Sequence, residues 1–329
     1  MKFLVTGSAG FIGSALADGL SRSGHEVVGV DNYSSYYSVN LKKSRTKHFS
    51  NFSTIEGDIS NAVFVHEVFA DIKPDFVYHM AAQPGVRLPI DKLSNYTRAN
   101  LVGFQNIATE VIQQEVPYFV YASSSSVYGD KAKQPFIEDE KNIAPNSYYG
   151  VTKFANELAA SALFSQSNTA ARGLRFFTVY GPWGRPDMAY FRIMSNLISE
   201  TKFTLFGDGS IKRDFTYIDD VVEAAIELGV QLQTCAPGFH DVVNIGGGRP
   251  VSMGRIIEIS EELTKKNLNF EQMESDKNDS RITVSDTNYL RSLVKFSPKV
   301  EVESGLEKFY RWATRAANQE SLKDWVEDF

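Results

Sequence analysis

Short, continuously apolar runs alternate with amphipathic stretches through the first half of the chain. Six runs predict strands, in the order KFLVTG, EVVGVD, STIEGD, DFVYHMAA, YFVYASS and LRFFTVYG. The amphipathic stretches predict helices over residues 11–23, 62–72, 96–114 and 148–165. Strands without an alternating polar face are typical of parallel strands covered by helices on both sides. The pattern therefore predicts a doubly wound parallel α/β sheet.

The pattern loosens after about residue 182. GPWGRPDMAYF is a loop rich in Gly and Pro, and a Gly-Asp-Gly turn signal separates the two apolar runs of FTLFGDGSIKRDFTYIDD. VVNIGGG predicts a further strand and GLEKFYRWATRA a late helix. We expect a Rossmann-type domain over residues 1–178 and a smaller C-terminal α/β lobe over residues 179–329. Segments near residues 215–245 are expected to pack back onto the first domain.

Composition and charge exclude several classes of protein. The net charge is -6, and no long Lys/Arg block suggests nucleic acid; LKKSR, residues 41–45, is interpreted as a solvated helix face. The single cysteine, Cys235, rules out an intramolecular disulfide, and neither Cys nor His has metal-ligand spacing. With no signal-like or membrane-length apolar run, we expect a soluble cytoplasmic protein without metal, nucleic-acid or membrane partners.

The stretch VTGSAGFIGSALADGL places three glycines between the first predicted strand and the first predicted helix. Gly7 would permit the tight turn, Gly10 the approach of a pyrophosphate, and Gly13 the close packing of helix and sheet. The helix N-terminus presents N–H groups and a positive dipole end to phosphates. The stretch predicts a dinucleotide site that also includes Phe11 and Ile12.

Acidic residues after the next strands refine the cofactor prediction. Asp31 ends the second strand, where a carboxylate bonds ribose hydroxyls and repels a 2′-phosphate. The residue after it is Asn32 and not an arginine, so we expect NAD and not NADP. Asp58 and Ile59 are candidates for contacts around adenine, with an ordinary turn as the alternative. Ala81, after the fourth strand, is a further cofactor candidate.

YYGVTKFANE contains Tyr149 and Lys153, four residues apart and therefore on one helix face. A lysine ammonium beside a phenol stabilises the phenolate and lowers the pKa of the tyrosine, which then acts as a base. Lys153 would also bond the nicotinamide ribose. An exposed helix pair is the usual explanation of this spacing alone. The serine run at residues 123–126, which ends the fifth predicted strand, favours a catalytic site.

Seven motifs spread along nearly the whole chain carry a family resemblance: TGSAGFIG, YHMAAQPGVR, YASSSSVYG, YYGVTKFANE, LRFFTVYGPWGRPDMA, RDFTYIDDVV and NIGGG. The chain resembles the extended short-chain dehydrogenases/reductases of the nucleotide-sugar epimerase and dehydratase group, and most of all UDP-glucuronate 4-epimerases. The resemblance implies an NAD-binding domain at residues 1–178 and a lobe at 179–329 that mainly binds a UDP-sugar. It further implies tightly bound, recycled NAD and a homodimer formed by the helices predicted at 96–114 and 148–165.

The resemblance also implies roles for the serines and for the tyrosine–lysine pair. The family's catalytic hydroxyl maps onto Ser124, its base onto Tyr149 and the helper of that base onto Lys153. Related 4,6-dehydratases carry Asp and Glu where this chain has Ser125 and Ser126, and related decarboxylases carry Glu at the later position. Hydroxyls cannot replace those acids and bases near neutral pH, which argues against dehydration and less strongly against decarboxylation.

Ser123 is assigned to local hydrogen bonding at the strand end. The candidate substrate ligands are Gln83, Gly85, Arg87, Ser125, Ser126, Thr178, Arg185, Arg213 and Asp279. In our hypothesis the hydroxyl groups of this set donate to a uronate carboxylate, with Arg87 or Arg185 nearby. Arg213 matches a family arginine that contacts the nucleotide diphosphate, a group that suits a guanidinium fork. KNDSRITVSD departs from the family pattern, so Asp279 is only a candidate for the uridine end.

Three other functions stay open on the sequence. A UDP-hexose or UDP-N-acetylhexosamine 4-epimerase would use the same chemistry on a neutral sugar, and a UDP-glucuronate decarboxylase would release carbon dioxide. A non-catalytic nucleotide-binding protein would need none of Ser124, Tyr149 and Lys153. The fold alone does not decide among these functions.

Overall fold

The computed structural model describes residues 1–86, 88–274, 280–315, 321–322 and 324–326. Between residues 1 and 315, the described part contains thirteen strands and eleven α-helices. The strands are β1 (Lys2–Thr6), β2 (Glu26–Asp31), β3 (Ser53–Glu56), β4 (Phe76–His79), β5 (Tyr118–Ser124), β6 (Ala170–Phe176), β7 (Thr178–Tyr180), β8 (Phe203–Phe206), β9 (Lys212–Tyr217), β10 (His240–Ile245), β11 (Pro250–Ser252), β12 (Phe270–Met273) and β13 (Ile282–Thr283). The helices are α1 (Phe11–Arg22), α2 (Val39–His48), α3 (Ala62–Ile72), α4 (Ser94–Tyr96), α5 (Gly103–Gln113), α6 (Tyr148–Phe164), α7 (Ala189–Ser199), α8 (Ile218–Leu232), α9 (Met253–Thr264), α10 (Asn288–Leu293) and α11 (Val302–Ala313). A π-helical turn, Thr97–Val102, joins α4 to α5.

The main sheet contains seven parallel strands in the order β10-β6-β5-β4-β1-β2-β3. The chain moves outward from β1 to β3 and then crosses back to β4 on the other side of β1. This reversal creates a switch point at the carboxyl ends of β1 and β4, which is where ligands bind in open sheets. The predicted Rossmann-type fold is confirmed, and the strands and helices predicted up to residue 165 occur with small shifts at their ends.

The apolar run LRFFTVYG forms parts of two strands and not one. β6 already begins at Ala170, and after Phe177 the chain leaves the main sheet as β7, which pairs with β9. The N–H of Phe177 still donates to the carbonyl oxygen of Ile245 in β10, at 3.0 Å. Both strands are largely buried, so the hydrophobic pattern does not show where the chain stops pairing in the main sheet and begins to pair with β9.

The second half of the chain adds two small sheets. β9 is the centre of one, with β7, β11 and β13 beside it, and β8 pairs with β12 in the other. The Gly-Asp-Gly segment does turn, with φ of +78° at Gly207 and +79° at Gly209, but the runs on either side of it do not pair with each other. β10 joins the main sheet, and α8 packs against α1, where Gly19 permits a close approach to Val222 and Ile226. The role of residues 179–329 in binding a nucleotide sugar stays a prediction.

The interpretation of residues 41–45 as a solvated helix face is wrong. Lys42 and Arg45 lie in α2, and their side chains are buried. The Arg45 guanidinium donates to the carbonyl oxygens of Ala9, Trp183 and Gly184 and to the hydroxyl of Tyr37, at 2.6 to 3.1 Å. Lys42 donates to the carbonyl oxygen of Ser34. Backbone oxygens from distant segments satisfy these cations, and residue type alone does not reveal them.

Across the residues described, no helix has both the length and the apolar character needed to span a membrane. The same part of the chain brings together no cluster of three or more metal-binding side chains.

Candidate active site

The turn after β1 leaves no room for side chains. Gly7 has φ of +73°, and a Cβ atom on it would lie 2.7 Å from the backbone nitrogen of Ala81. A Cβ atom on Gly13 would lie 2.1 Å from the carbonyl oxygen of Gly7. Helix α1 starts at Phe11, and no side chain caps its first turn. The N–H groups of this turn, which include that of Ile12, are therefore suited to an anionic ligand.

Asp31 lies at the end of β2, next to the glycine turn. Its Oδ2 accepts the N–H of Ala9 at 3.0 Å, and its Oδ1 accepts the N–H of Tyr33 at 2.8 Å. The two bonds fix the carboxylate plane at the sheet edge. Each oxygen retains acceptor capacity for a ribose hydroxyl, since an ionised carboxylate has about four acceptor positions.

The other adenine-side candidates lie close to Asp31. Asn32 is exposed, and its side-chain oxygen accepts the N–H of Ser34 at 3.0 Å. Partial burial opposes the charged form of Asp58, but hydrogen bonds from Ser60 and the charge of Arg98 lower its pKa. Ile59 is buried, and its carbonyl oxygen accepts from the side chain of Asn106 at 2.9 Å.

The three predicted catalytic residues come together at the end of β5. Ser124 is the last residue of this strand, and its hydroxyl lies near Tyr149, which belongs to the first turn of α6. One turn later in α6, Lys153 Nζ donates to the carbonyl oxygen of Ala122 at 2.9 Å and lies 6.0 Å from the centre of the Tyr149 ring. The side chain of Ser147 caps α6, which fixes the helix relative to the strand.

Burial dominates the electrostatics of this group. It lowers the pKa of Lys153 to about 8, while the carboxylate of Glu157 acts in the opposite direction. Lys153 therefore stays largely protonated at neutral pH. Burial raises the pKa of Tyr149, against the charge of Arg185 and the hydrogen bond to Ser124. Tyr149 as a base thus depends on positive charge placed near its oxygen.

A buried ion pair lies behind the catalytic strand. Arg175 of β6 contacts Glu157 of α6 through two bonds of 2.8 and 2.7 Å. The hydroxyl of Ser123 donates to the same carboxylate at 2.5 Å. The expectation that Ser123 bonds only locally is therefore wrong, because its partner comes from a different element. The sequence analysis missed Glu157, although it lies one turn beyond Lys153 on the same helix.

The loop after β4 reaches the same edge of the sheet. The N–H of Ala81 donates to the hydroxyl of Thr6, and that of Gln83 to the side chain of Asn100 at 2.8 Å. Gly85 has φ of +87°, and its carbonyl oxygen accepts from the hydroxyl of Tyr96 at 2.6 Å. Two predicted ligands, Arg87 and Asp279, lie outside the residues that the structure describes.

Some of the remaining substrate candidates lie near Ser124 and Tyr149, and others lie in later parts of the chain. Ser125 and Ser126 begin a 3₁₀ turn directly after β5, and the N–H of Ser126 donates to the Ser124 hydroxyl at 3.1 Å. Arg185 lies close enough to Tyr149 to affect its pKa, and Thr178 begins β7. Arg213 donates to the backbone oxygens of two residues, Lys212 and Ser280. A diphosphate contact by Arg213 stays a prediction.

Sequence reasoning also missed Tyr36 and Asp187, which accompany Arg185. Asp187 accepts two hydrogen bonds from Arg185 and one from the hydroxyl of Tyr36. The segment GRPD places an acid two residues after the arginine. In an irregular loop this spacing does not predict a contact between Arg185 and Asp187, because no periodicity indicates which side chains face each other.

The glycine turn at β1, the acid ending β2 and the Ser–Tyr–Lys group at β5 and α6 together define an enzyme of the short-chain dehydrogenase/reductase type. The chain belongs to the NAD dependent epimerase/dehydratase family, whose model matches residues 3–246. NAD is its cofactor. The residues at the carboxyl edge fit this group, because the backbone packs too closely for side chains at Gly7 and Gly13, the first turn of α1 is uncapped and the Asp31 carboxylate retains acceptor capacity.

Proteins similar to this chain include UDP-glucuronate 4-epimerases. Protein CapI of Staphylococcus aureus is 37% identical over 95% of this chain and 98% of its own length. UDP-glucuronate 4-epimerase 5 of Arabidopsis thaliana is 36% identical over 95% of this chain and 75% of its own. The crystal structure of UDP-glucuronic acid 4-epimerase from Bacillus cereus, in complex with UDP-glucuronic acid and NAD, superposes with a TM-score of 0.85. It is 34% identical, and the match covers 95% of this chain and 98% of that one.

Proposed function

We propose that the protein interconverts UDP-glucuronate and UDP-galacturonate by NAD-dependent epimerisation at C4. The observation that carries the proposal is the setting of Tyr149. Its partner is a hydroxyl, Ser124, the two following positions are also serines, and the guanidinium of Arg185 is near enough to favour its phenolate. Such a site combines a base for a sugar hydroxyl with neutral and cationic groups for a carboxylate. The likeness to UDP-glucuronate 4-epimerases supports the same substrate.

In this mechanism Tyr149 removes the proton from the 4-hydroxyl while Ser124 holds that oxygen by a hydrogen bond. In our proposal the buried Lys153, whose Nζ lies 6.0 Å from the centre of the Tyr149 ring, adds positive charge beside the phenol, together with Arg185. NAD, when bound, would supply the hydride acceptor and donor for C4. Between the two transfers the 4-keto sugar would have to rotate within the pocket, so that its opposite face meets the nicotinamide. Tyr149 then gives its proton back to O4, so the reaction has no net redox change.

A uronate substrate brings a hazard at the 4-keto stage. The intermediate is a β-keto acid, which loses carbon dioxide readily when its C5–C6 bond stands perpendicular to the carbonyl plane. The site must therefore hold the carboxylate out of that alignment. In our proposal Ser125, Ser126 and Thr178 donate hydrogen bonds to it, with Arg87 or Arg185 nearby. Hydroxyls bind the charge without adding a second negative group.

Replacing Ser126 by Ala tests the carboxylate site. We expect a larger fraction of UDP-pentose among the products or a higher KM for UDP-glucuronate, by roughly tenfold or more for one charge-assisted hydrogen bond. The backbone N–H of Ser126 holds Ser124, so the substitution removes only the side-chain hydroxyl. Chromatography of the nucleotide-sugar products measures both effects. Ser161→Ala, on the exposed side of α6, is the control, and wild-type values for both quantities in Ser126→Ala would end this assignment.

Incubation with UDP-glucuronate and analysis of the products tests the whole proposal. UDP-galacturonate as the main product supports it, whereas UDP-xylose with carbon dioxide identifies a decarboxylase. Turnover of UDP-glucose or UDP-N-acetylglucosamine in preference to the uronate identifies a neutral-sugar epimerase. Absence of turnover with all three sugars would leave a nucleotide-binding protein.

We further propose that the protein is a homodimer. Five large apolar side chains are exposed on α6 and on the turn before α5: Tyr148, Val151, Leu158, Leu163 and Val102. Two copies that paired along these helices would remove this surface from water. We expect sedimentation to give twice the chain mass, and Leu158→Glu to shift the protein toward monomer. A single-chain mass at micromolar concentration would contradict the proposal.

The cytoplasmic location stays a prediction.

A further inference from the structure

Arg185 does not stand alone beside the reacting centre. Its Nε donates to Asp187 Oδ1 at 3.0 Å, and its Nη2 donates to Asp187 Oδ2 at 2.5 Å. About a quarter of the Arg185 side chain and a tenth of the Asp187 side chain are exposed. The guanidinium lowers and the carboxylate raises the pKa of Tyr149, so both lie near the base. A fixed carboxylate is unexpected in a pocket proposed to take an anionic sugar.

A phenol from the first half of the chain holds this carboxylate. The hydroxyl of Tyr36, in the segment after β2, donates to Asp187 Oδ2 at 3.3 Å. Burial, followed by the charge of Asp187, raises the pKa of Tyr36, so the phenol remains a donor at neutral pH. Gly85 leaves the room for it, since a Cβ atom there would lie 2.2 Å from the Tyr36 hydroxyl oxygen. Asp187 is therefore fixed from two sides, by Tyr36 and by Arg185.

The geometry of the pair explains how an acid can serve an anion site. A guanidinium has five N–H donors in one plane. Asp187 takes one from Nε and one from Nη2, which occupies a single edge of the plane. The second edge, formed by Nη1 and the other hydrogen of Nη2, matches another carboxylate in the bidentate manner. Because Asp187 prevents rotation of the guanidinium, this second edge keeps one direction.

We propose that Asp187 is a positioning and specificity-determining residue, which, held by Tyr36, aims the second edge of Arg185 at the uronate carboxylate. The inference rests on the proposed function and concerns the geometry of the carboxylate more than its affinity. The negative charge of Asp187 weakens the attraction of Arg185 for an anion. In exchange, the substrate carboxylate is held in one orientation, away from the alignment that releases carbon dioxide.

The side reaction provides the measurement. When the C5–C6 bond stands perpendicular to the carbonyl plane, that bond breaks and carbon dioxide leaves. The electron pair of the bond then forms an enolate with the C4 carbonyl. A solvent proton at C5 then gives a 4-keto pentose, and return of the hydride taken from C4 gives UDP-pentose. The ratio of UDP-pentose to UDP-galacturonate reports the carboxylate orientation within one preparation, whatever fraction of the enzyme is active.

The test compares Asp187→Asn, Tyr36→Phe and the control Asp139→Asn, an acid that pairs with Lys141 on the surface. For Asp187→Asn we expect the pentose ratio to rise by about fivefold or more, since small misplacements have large effects on partitioning. KM for UDP-glucuronate should stay level or fall, because a repelling charge is gone. Tyr36→Phe should change the ratio in the same direction by less. Inhibition by UDP alone should be unchanged in all three, which shows an intact nucleotide site.

An active wild-type enzyme with an unchanged pentose ratio in Asp187→Asn overturns this inference and leaves the proposed function standing. A raised KM with an unchanged ratio also overturns it, because Asp187 would then serve affinity and not orientation. If Asp187→Asn does not fold, Tyr36→Phe decides, and a wild-type ratio there overturns the inference. A wild-type enzyme that does not convert UDP-glucuronate refutes the proposed function and the inference together.

Discussion

Replacement of Tyr149 by Phe is expected to lower kcat for C4 epimerisation by about 10²- to 10⁴-fold, the range that one positioned acid–base group contributes. The substitution removes the oxygen that lies near Ser124 and that would exchange a proton with the sugar. It retains the ring beneath Lys153 and therefore most of the packing. Steady-state kinetics with UDP-glucuronate measures kcat, and KM should change much less, since the lost interaction is made mainly in the transition state.

The neighbouring residue supplies a matched control for this prediction. Tyr148 lies on the same turn of α6, is exposed, and bonds the hydroxyl of Thr97 at 2.9 Å. Tyr148→Phe makes the same chemical change outside the site and should leave kcat within about twofold, as surface substitutions usually do. A Tyr149→Phe enzyme that kept more than a tenth of wild-type kcat would show that another group is the base.

Loss of one partner from the Glu157–Arg175 pair is expected to lower the free energy of unfolding by about 3–5 kcal/mol. Both side chains are at most 5% exposed, so Glu157→Ala leaves a buried guanidinium without its carboxylate, although the bonds to Tyr128 and to the Glu138 carbonyl oxygen stay, and it also removes the acceptor of Ser123. The double substitution Glu157→Ala, Arg175→Met should recover part of this loss, because it removes the orphaned charge as well. Denaturant unfolding of the three variants beside the wild type gives these free energies.

A surface pair provides the comparison. Lys202 and Glu271 join β8 to β12, and each is about half exposed. Glu271→Ala should cost at most about 1 kcal/mol, because solvent screens the interaction. Equal losses from Glu157→Ala and Glu271→Ala would mean that burial contributes nothing to the inner pair.

Local patterns could predict much of the first half of the fold. β1 and the glycine turn can be predicted because a continuous apolar run is followed directly by glycines, and the backbone geometry of the turn requires glycine. The predicted helix at 148–165 agrees closely with α6, because its capping serine, its periodicity and its flanking turn indicate the same bounds. Tyr149 and Lys153 could be paired from their spacing on one helix face, whereas Ser124 joins them through the family resemblance.

The features that could not be predicted depend on partners far away in the chain. Lys42 and Arg45 have the composition of a solvated face, and only the tertiary structure supplies their backbone acceptors. Ser123 reads as a local hydrogen-bonding residue, whereas Glu157 lies 34 positions further along. The pairing of Tyr36 with Asp187 spans 151 positions and joins two irregular segments, for which neither helical nor strand periodicity gives information.

Arg45 limits how the two halves of this chain can be recombined with those of relatives. One buried guanidinium joins helix α2 to the glycine turn through Ala9 and to the later loop through Trp183 and Gly184. A hybrid enzyme joined near residue 178 would take the donor from one parent and two of its acceptors from the other. Any difference in the course of that loop would leave the buried cation with Ala9 and Tyr37 as acceptors but without the carbonyl oxygens of Trp183 and Gly184. Exchange of sugar specificity by grafting is therefore best made with α2 and residues 181–188 moved as a unit.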